Sequence, residues 1–428
     1  MTDTLFENAR LIDPEAGSVS DGCVLVSDGR IAKIEPALNV QDMAADVIRV
    51  DCNRQYLAPG IVDIGVKVCE PGERHKESFR SAGLAAAAGG VTTMVTRPDT
   101  TPAIDSPEAL EFVIRRAREA APVNVLPMAA LTKGRLGREM TEIGFLMDAG
   151  AVAFTDCDHV TTDTKVLGRA LSYAKSMDAL VMGHVQEPGL SAGAAATSGK
   201  FASLRGLPAV TPMAERMGLD RDIALIEMTG ARYHVDQLTT ARALPALERA
   251  KKNGLDITAG TSIHHLTLNA LDVADYRTFF KLKPPLRDED DRLAIAQAVQ
   301  DGLIDVISSM HTPQDEESKR LPFEAAASGA VSLETLLPAA LRLVHAGVVD
   351  LPILWRALSL NPARRLGLDC GRLSVDAPAD LILFDAHAPF ILDRTTLHSK
   401  SLNTPFDGQR MQGKVRATYV HGKKVFEA

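Results

Sequence analysis

The sequence lacks an excess of positive charge and any long apolar run. Its 428 residues include 47 Lys and Arg against 55 Asp and Glu, a formal net charge of -8. A nucleic-acid or membrane-surface role therefore has no electrostatic support. No apolar run approaches the length of a bilayer-spanning helix. The start of the chain, MTDTLFE, has no basic and apolar regions of a secretory signal. We expect a cytoplasmic protein that binds neither nucleic acid nor membrane.

Cysteine is also scarce and carries no paired spacing. The five cysteines are Cys23, Cys52, Cys69, Cys157 and Cys370, and no two of them form a C-x-x-C motif. We interpret them as reduced thiols, most of them small core residues. A zinc site built from clustered thiolates is not expected.

The two ends of the chain have β-type patterns. Asp28-Gly29 separates two strand-like runs and predicts a hairpin. Residues 379–385 form a buried strand run, and residues 415–426 read as a second hairpin. A chain of this length can hold a large domain and a smaller one. We predict that residues 1–56 and 371–428 pair into one small β-sandwich domain.

The region between the ends alternates strand-like and helix-like segments. Longer Ala/Leu/Arg/Glu-rich segments, such as 107–120 and 238–253, separate short apolar runs. Roughly eight such units favour a parallel (β/α)₈ barrel, which we place at 57–370. The Ala/Gly/Ser-rich segment 191–203 is the best candidate for a mobile loop. The apolar runs include 90–95, 123–128, 151–154 and 180–184.

Several motifs follow one another in an informative order. They are PGIVDIGVKVCEPG at 59–72, AGGVTT at 88–93, KLKPPLR at 281–287, GAVSLET at 329–335 and SKSLNTPF at 399–406. In order and spacing the chain resembles dihydroorotases of the amidohydrolase superfamily over nearly its whole length. The resemblance implies an α/β fold, a (β/α)₈ TIM barrel with a β-sandwich domain formed by both termini. Active members of that family act on a cyclic amide with one or two zinc ions, which polarise the carbonyl and supply hydroxide.

The resemblance also implies where the metal ligands should be. Only Asp156 and His184 retain a ligand of the expected type, and they are the residues that would hold a metal if any is bound. Lys67 brings a positive charge to the metal position, and Met310 replaces the Asp that moves the proton. Catalytic zinc usually needs three protein ligands or more, so we expect no zinc here. The six implied positions are Gly65, Lys67, Asp156, His184, Gln237 and Met310.

Substrate binding is altered at separate positions. Where the family holds the dihydroorotate carboxylate with Arg, Asn and His, this chain has Cys69, Asp99 and Gln314. Asp99 would repel an anionic substrate. Loss of a bidentate cation together with a new like charge argues against the family's substrate in its usual pose.

Lys67 has two readings. If Lys67 and Asp156 both point into the barrel mouth, their ion pair would replace the contact between metal and carboxylate. Alternatively, Lys67 extends to solvent in an open cleft. Cys69 and Cys157 lie beside former active-site positions and could form a new thiol site near Lys67, although small pocket-wall residues are the simpler interpretation.

The histidines have plainer interpretations. We expect His184 to be a hydrogen-bonded pocket residue and His311 to pack a loop, as retained residues of the old pocket. The tandem His264-His265 and the strand-end His234 are interpreted as structural.

The favoured hypothesis is a non-catalytic protein. The resemblance implies a pseudo-dihydroorotase of pyrimidine biosynthesis that assembles with the catalytic chain of aspartate transcarbamoylase, and we expect a homo-oligomer. One alternative is a cyclic amidohydrolase with a rebuilt site, using Asp156 and His184 with one metal or Lys67 as base or nucleophile. Another is a small-molecule sensor that uses the emptied pocket.

Overall fold

The computed structural model describes residues 3–38 and 47–428. The strands of this part of the chain are β1 (Thr4–Asp13), β2 (Ser18–Ser27), β3 (Arg30–Glu35), β4 (Ile48–Asp51), β5 (Tyr56–Pro59), β6 (Ile61–Val66), β7 (Val91–Thr96), β8 (Asn124–Pro127), β9 (Phe154–Thr155), β10 (Leu180–Gly183), β11 (Ala196–Thr197), β12 (Ala209–Val210), β13 (Arg232–Val235), β14 (Ile257–Ser262), β15 (Val306–Ser308), β16 (Leu381–Ile391), β17 (Arg410–Val420) and β18 (Lys423–Glu427).

The α-helices of the same residues surround the strands or connect them. They are α1 (Phe79–Ala88), α2 (Pro107–Ala120), α3 (Ile143–Asp148), α4 (Thr164–Ser176), α5 (Pro188–Ser191), α6 (Lys200–Arg205), α7 (Met213–Thr229), α8 (Leu244–Lys252), α9 (Ile263–Thr267), α10 (Glu289–Gln300), α11 (Glu316–Arg320), α12 (Leu336–His345), α13 (Leu351–Trp355) and α14 (Asn361–Leu366). None of the helices described is long and apolar enough to cross a membrane.

Strands from both termini join in one sheet. Its order is β18-β17-β16-β5-β1-β2-β3, with β4 beside β1. β5 lies parallel to β1 and antiparallel to β16, so it connects the two ends of the chain. Phe6, Leu57, Leu381 and Tyr419 belong to the buried core on this sheet. β5 crosses the predicted boundary at 56/57, and residues 1–2 and 39–46 of the predicted domain lie outside the described residues.

Both predicted hairpins are confirmed. β2 and β3 pair antiparallel through Asp28 and Gly29, which have φ values of 49° and 77°. β17 and β18 pair through His421 and Gly422, with φ of 48° and 73°. Two consecutive positive φ values suit the twist of a two-residue hairpin. The two turns touch, because a Cβ added at Gly29 would lie 2.9 Å from the His421 carbonyl oxygen.

Eight parallel strands form the predicted barrel. Pairing runs through β6-β7-β8 and through β9-β10-β13-β14-β15. A parallel bridge between Ala129 and Phe154 joins the two groups. On the other side, the Lys67 amide donates to the His311 carbonyl oxygen at 2.9 Å, which links the ends of β6 and β15. Because the strands are parallel, all of their carboxyl ends face one mouth, where barrel sites are built.

The outer helices follow their sequence patterns. α2 matches the predicted segment 107–120, with Pro107 in its first turn. The Ser106 hydroxyl accepts a hydrogen bond from the Ala109 amide at 3.4 Å and caps the helix. Leu110, Val113 and Ala117 form the buried face, at the spacing of an amphipathic helix.

The segment 191–203, predicted as a mobile loop, is instead anchored. It contains β11, which pairs with β12. The Thr197 hydroxyl donates to the Leu286 carbonyl at 2.9 Å, and the buried Arg287 guanidinium donates to Thr197 Oγ1 at 3.1 Å. The Ala/Gly/Ser composition predicted mobility, but the partners of Thr197 come from a region some ninety residues later.

Candidate functional site

The predicted site positions follow barrel strands and share the barrel mouth. Each lies just beyond the carboxyl end of a strand, except Gly65, which is the second-last residue of its strand. Gly65 and Lys67 belong to the end of β6, Asp99 follows β7, Asp156 follows β9, His184 follows β10, Gln237 follows β13 and Met310 follows β15.

Lys67 forms an ion pair with Asp99. The Lys67 Nζ lies 3.3 Å from Asp99 Oδ2, and the Arg97 Nη2 lies 3.4 Å from the same oxygen. The three side chains are 16%, 6% and 8% exposed. Burial acts to lower the pKa of Lys67, but the Asp99 charge outweighs it and the net shift is upward. This cluster of Lys67, Asp99 and Arg97, called the charge triad below, leaves Asp99 compensated and does not present a free anion.

The predicted pairing of Lys67 with Asp156 is wrong, because Asp156 is held by other groups. Thr132 donates to it from its amide at 3.0 Å and from its hydroxyl at 2.6 Å, and the Thr161 hydroxyl donates at 3.2 Å. Arg135 donates to the Asp156 backbone carbonyl at 3.1 Å. Burial raises the pKa of this carboxyl group. Asp156 therefore satisfies its oxygens with hydroxyl and amide donors and needs no lysine.

The Met310 side chain packs directly against Gly65 and occupies the space beside it. A Cβ built on Gly65 would lie 2.5 Å from the Met310 Sδ and 3.1 Å from the Ser308 Oγ. Met310 adopts a left-handed backbone with φ of 48°. Below it, the buried Asp63 accepts hydrogen bonds from the Gly65 amide at 3.2 Å and the Ser309 amide at 3.0 Å. The Met310 thioether thus occupies space that a side chain at position 65 would need.

A second charged group contains residues that the sequence analysis missed. Asp158 pairs with Arg135 at 2.8 Å and with Lys283 at 3.0 Å. Although burial opposes ionisation, Lys283 and Arg97 hold the pKa of Asp158 well below its usual value. Burial raises the pKa of Asp236 to about 6. For the two acids the available signal was their position: Asp158 lies three places beyond the end of β9, and Asp236 directly follows β13.

His184 lies in the wall of a cavity of about 510 Å³ at the barrel mouth. Burial, followed by the Lys283 charge, lowers its pKa to about 3, so the imidazole is neutral. Within 3–38 and 47–428 no hydrogen bond to its ring is found, which differs from the expected hydrogen-bonded histidine. Arg135, Asp158 and Lys283 line the same cavity.

Four other buried histidines make structural contacts. His265 bonds Ser262 Oγ at 2.7 Å through Nδ1 and approaches the Pro284 carbonyl at 3.2 Å through Nε2. The buried His311 accepts the Ser332 amide at Nδ1, at 3.1 Å, and faces Glu77 at 3.5 Å through Nε2. The others contact neighbouring hydroxyl groups: His234 contacts Thr258 at 2.8 Å, and His264 contacts Ser332 at 3.2 Å.

The two thiols and two glutamines of the predicted site are also placed. Burial raises the pKa of Cys69 and of Cys157 to about 12, which keeps both thiols protonated and favours the pocket-wall interpretation over a reactive site. Gln237 donates to the Lys283 carbonyl at 3.4 Å, and Gln314 donates to the Ser328 carbonyl at 2.9 Å.

These residues do not fit a zinc ion. In the residues that the structure describes, no group of three or more His, Cys, Asp or Glu side chains could hold a metal. His184 and Asp156 remain, but Asp156 already uses both oxygens, and the Gly65 position is filled by the Met310 side chain. A tetrahedral catalytic site needs three protein ligands and an open position.

Comparison with known proteins places the chain in a family. Residues 54–243 match the family described as Dihydro-orotase-like. A protein named Dihydroorotase from Syntrophobacter fumaroxidans is 37% identical over 423 residues, which is 99% of this chain and 96% of that protein. A second, from Anaeromyxobacter dehalogenans, is 36% identical over 430 residues, covering 100% and 99%. The chain belongs to the dihydroorotase family.

Solved structures support the same architecture. The L-hydantoinase (dihydropyrimidinase) of Arthrobacter aurescens matches 100% of this chain and 96% of its own, with a TM-score of 0.90 and 24% identity. A D-hydantoinase structure matches 100% and 95%, with a TM-score of 0.84 and 22% identity. At these identities the likeness shows the fold, a barrel with a terminal β-sandwich.

Proposed function

We propose that this member of the dihydroorotase family is non-catalytic and serves as a structural partner of the aspartate transcarbamoylase catalytic chain in pyrimidine biosynthesis. The observation that carries the proposal is the charge triad. Lys67 holds its charge at a strand end where the family resemblance implies a metal, and Arg97 adds a second cation beside it. The chain keeps the barrel and the terminal sheet, which are what a structural role requires.

Electrostatics support the absence of zinc in this proposal. A unit charge about 4 Å from another interacts by about 4 kcal/mol at an effective dielectric constant of about 20. A dication beside the Lys67 ammonium would therefore meet a repulsion of about 8 kcal/mol, before the second cation, Arg97, is counted. Asp99 compensates this charge, but it is already engaged by both cations.

The test is metal content together with turnover. The full-length protein would be purified from cells grown with and without added zinc, and its zinc measured by mass spectrometry. We expect far less than one zinc per chain and no interconversion of dihydroorotate and carbamoyl aspartate. The Syntrophobacter fumaroxidans relative, purified and assayed in parallel, is the positive control. Near-stoichiometric zinc, with turnover that a chelator abolishes, would contradict the proposal.

One observation favours a second candidate, a cyclic amidohydrolase with a rebuilt site. The barrel mouth keeps a cavity of about 510 Å³ beside the neutral His184, and burial raises the pKa of Asp236 to about 6. A carboxyl group with a raised pKa is suited to proton transfer, and Asp236 directly follows β13 at the same barrel mouth, although it does not line this cavity. Turnover of any cyclic amide that survives chelation and is lost in Asp236→Asn would establish this candidate.

The partner hypothesis has its own test. The protein and an aspartate transcarbamoylase catalytic chain from the same source would be co-expressed with a tag on one of them. We expect the two to co-purify in a fixed ratio and the transcarbamoylase to be more active in the complex. Separate migration with full transcarbamoylase activity would refute a structural role.

Sedimentation of the protein alone tests the expected homo-oligomer, and cell fractionation tests the cytoplasmic location.

A further inference from the structure

A second cavity lies away from the barrel mouth, where α12 meets β16 and β17. Its volume is about 760 Å³, within the range of small-molecule sites. Arg342 and His345 of α12 form one side, and Phe390, Ile391 and Met411 with Arg410 form the other. This groove, called the junction groove below, therefore lies between the barrel and the terminal sheet. None of these residues lines the barrel-mouth cavity.

One wall of the junction groove is apolar and uncovered. Ile391, the last residue of β16, is 66% exposed. Phe390 beside it is half-buried, and Met411 on the paired strand is buried at the base. Together they offer a surface for a hydrocarbon or aromatic group.

The other feature of the groove is a fixed cation, Arg342, whose hydrogen-bond partners are neutral groups. Arg342 donates to the Gln409 side-chain oxygen at 2.9 Å and to the Arg410 carbonyl at 3.2 Å, and its guanidinium lies 5.3 Å from the centre of the Phe406 ring. These partners hold it in place, but all are neutral. Burial lowers the pKa of Arg342, and the charge of Asp272 offsets only part of this shift.

Additional positive charge lies at the same place. In the described part of the chain, the Arg410 side chain makes no ion pair, and the Lys414 Nζ lies 5.5 Å from the Phe390 ring centre. Asp385 on the same strand pair is engaged by Arg416 at 3.3 Å and by the His387 amide at 3.0 Å. The groove is thus locally positive in a chain whose net charge is -8.

A purely structural explanation covers part of this arrangement. Basic residues in the last turn of a helix interact favourably with its dipole, which accounts for Arg342 and His345. It does not account for Arg410, which lies on β17, or for the exposed Ile391 on β16.

We propose that the junction groove binds a small amphipathic anion, an apolar monocarboxylate. The carboxylate binds Arg342 and Arg410, and the apolar body packs on Phe390, Ile391 and Met411. Charge-assisted hydrogen bonds supply orientation, and burial of the hydrocarbon supplies affinity.

Decanoate is a suitable probe. Acetate, which carries the carboxylate without the long chain, and decanol, which carries the chain without the charge, are compared with it. Calorimetric titration of the full-length protein, below the micellar concentration of the probe, should show saturable binding of decanoate and weaker binding of acetate or decanol. Arg410→Glu should weaken decanoate binding about ten-fold or more, because it removes a charge-assisted bond and adds a like charge. Ile391→Ser should weaken it less. Both residues are exposed, so both variants should fold.

The matched control is Arg118→Glu, the same charge change on an exposed residue at the end of α2. It should leave decanoate affinity unchanged. Absence of saturable binding, or an equal loss in Arg118→Glu and Arg410→Glu, would overturn the proposal. Neither result depends on zinc content or on transcarbamoylase binding, so the proposed function is tested separately.

Discussion

The role of Asp99 depends on the side chains that surround it. In the sequence it is an acid where a substrate anion would bind. In the structure Asp99 is 6% exposed and pairs with both Lys67 and Arg97. It therefore neutralises positive charge that would otherwise be buried without a counter-ion. The carboxylate that was expected to repel a substrate anion is needed to retain two cations at the strand ends.

Replacing Lys67 by Met should therefore destabilise the fold. Loss of one partner of a buried ion pair commonly costs about 3–5 kcal/mol, and because Arg97 remains we expect a loss of about 2 kcal/mol in the free energy of unfolding. Urea unfolding measures this change. Asp99→Asn and the double variant complete a thermodynamic cycle, in which a coupling energy of about 1 kcal/mol or more is expected.

Lys165→Met provides the control, because this lysine is exposed on α4. It should change the free energy of unfolding by less than about 0.5 kcal/mol. Additive effects of Lys67→Met and Asp99→Asn would show that the two side chains do not interact.

The cysteines give a second prediction at this scale. Burial raises the pKa of Cys52, Cys69, Cys157 and Cys370 to about 12. Since the thiolate is the reactive form, these four should react with a disulfide reagent at mildly alkaline pH far more slowly in the native protein than in denaturant. Peptide mapping of the labelled sites checks this. Rapid native labelling of Cys69 would restore the hypothesis of a thiol site beside Lys67.

At the residue scale, one of the two interpretations of Lys67 paired it with a carboxylate, but with Asp156 and not with Asp99. The donors that satisfy Asp156 come from Thr132 and Thr161, on loops that no motif connects with it. The correct partner lies two places after Arg97, which directly follows β7. Pairing within a barrel mouth depends on side-chain directions that spacing along the chain does not determine.

At the scale of elements, the carboxyl ends of β6 and β15 pack tightly against each other. Because a Cβ on Gly65 would lie 2.5 Å from the Met310 Sδ, Gly65→Ala should overpack this contact and cost about 1–3 kcal/mol. In a Met310→Ala background the added methyl group has room, so the same substitution should cost less. Urea unfolding of the four proteins measures the difference. Equal costs in both backgrounds would show that Met310 does not occupy this space.

Elements with local signals were predicted well. Asp28-Gly29 carries its turn in its own two residues, and α2 carries its cap and its apolar face within its own segment. The segment 191–203 was not, because its order comes from Thr197 binding to residues 286 and 287. Local chemistry predicts hairpins and amphipathic helices, whereas distant partners decide whether a loop is held.

For the whole molecule, alternating apolar runs were sufficient to predict the barrel, since parallel strands joined by helices close in few ways. The same logic placed the site at the carboxyl ends of the strands. It could not reveal the charge balance of that mouth, where Arg97, Arg135, Asp158, Asp236 and Lys283 supplement the predicted residues.

Acid stability is the property of the whole molecule that these buried groups control most directly. Burial lowers the pKa of His184 to about 3, and three further buried histidines, at 234, 264 and 265, have the same value. Each is neutral in the folded protein and takes up a proton on unfolding below its ordinary pKa of about 6.5. Their contribution to stability is therefore complete above about pH 6.5 and falls as the pH is lowered toward 3.

His184→Gln should make the protein less sensitive to acid. The wild-type free energy of unfolding should fall faster than that of the variant, by up to about 1.4 kcal/mol per pH unit below about pH 6. Comparing the two proteins removes the opposing effect of Asp236, whose raised pKa favours the folded state at low pH. Parallel slopes for wild type and His184→Gln in urea unfolding would mean that His184 can ionise in the folded protein, and the barrel mouth would then be wetter than its contacts indicate.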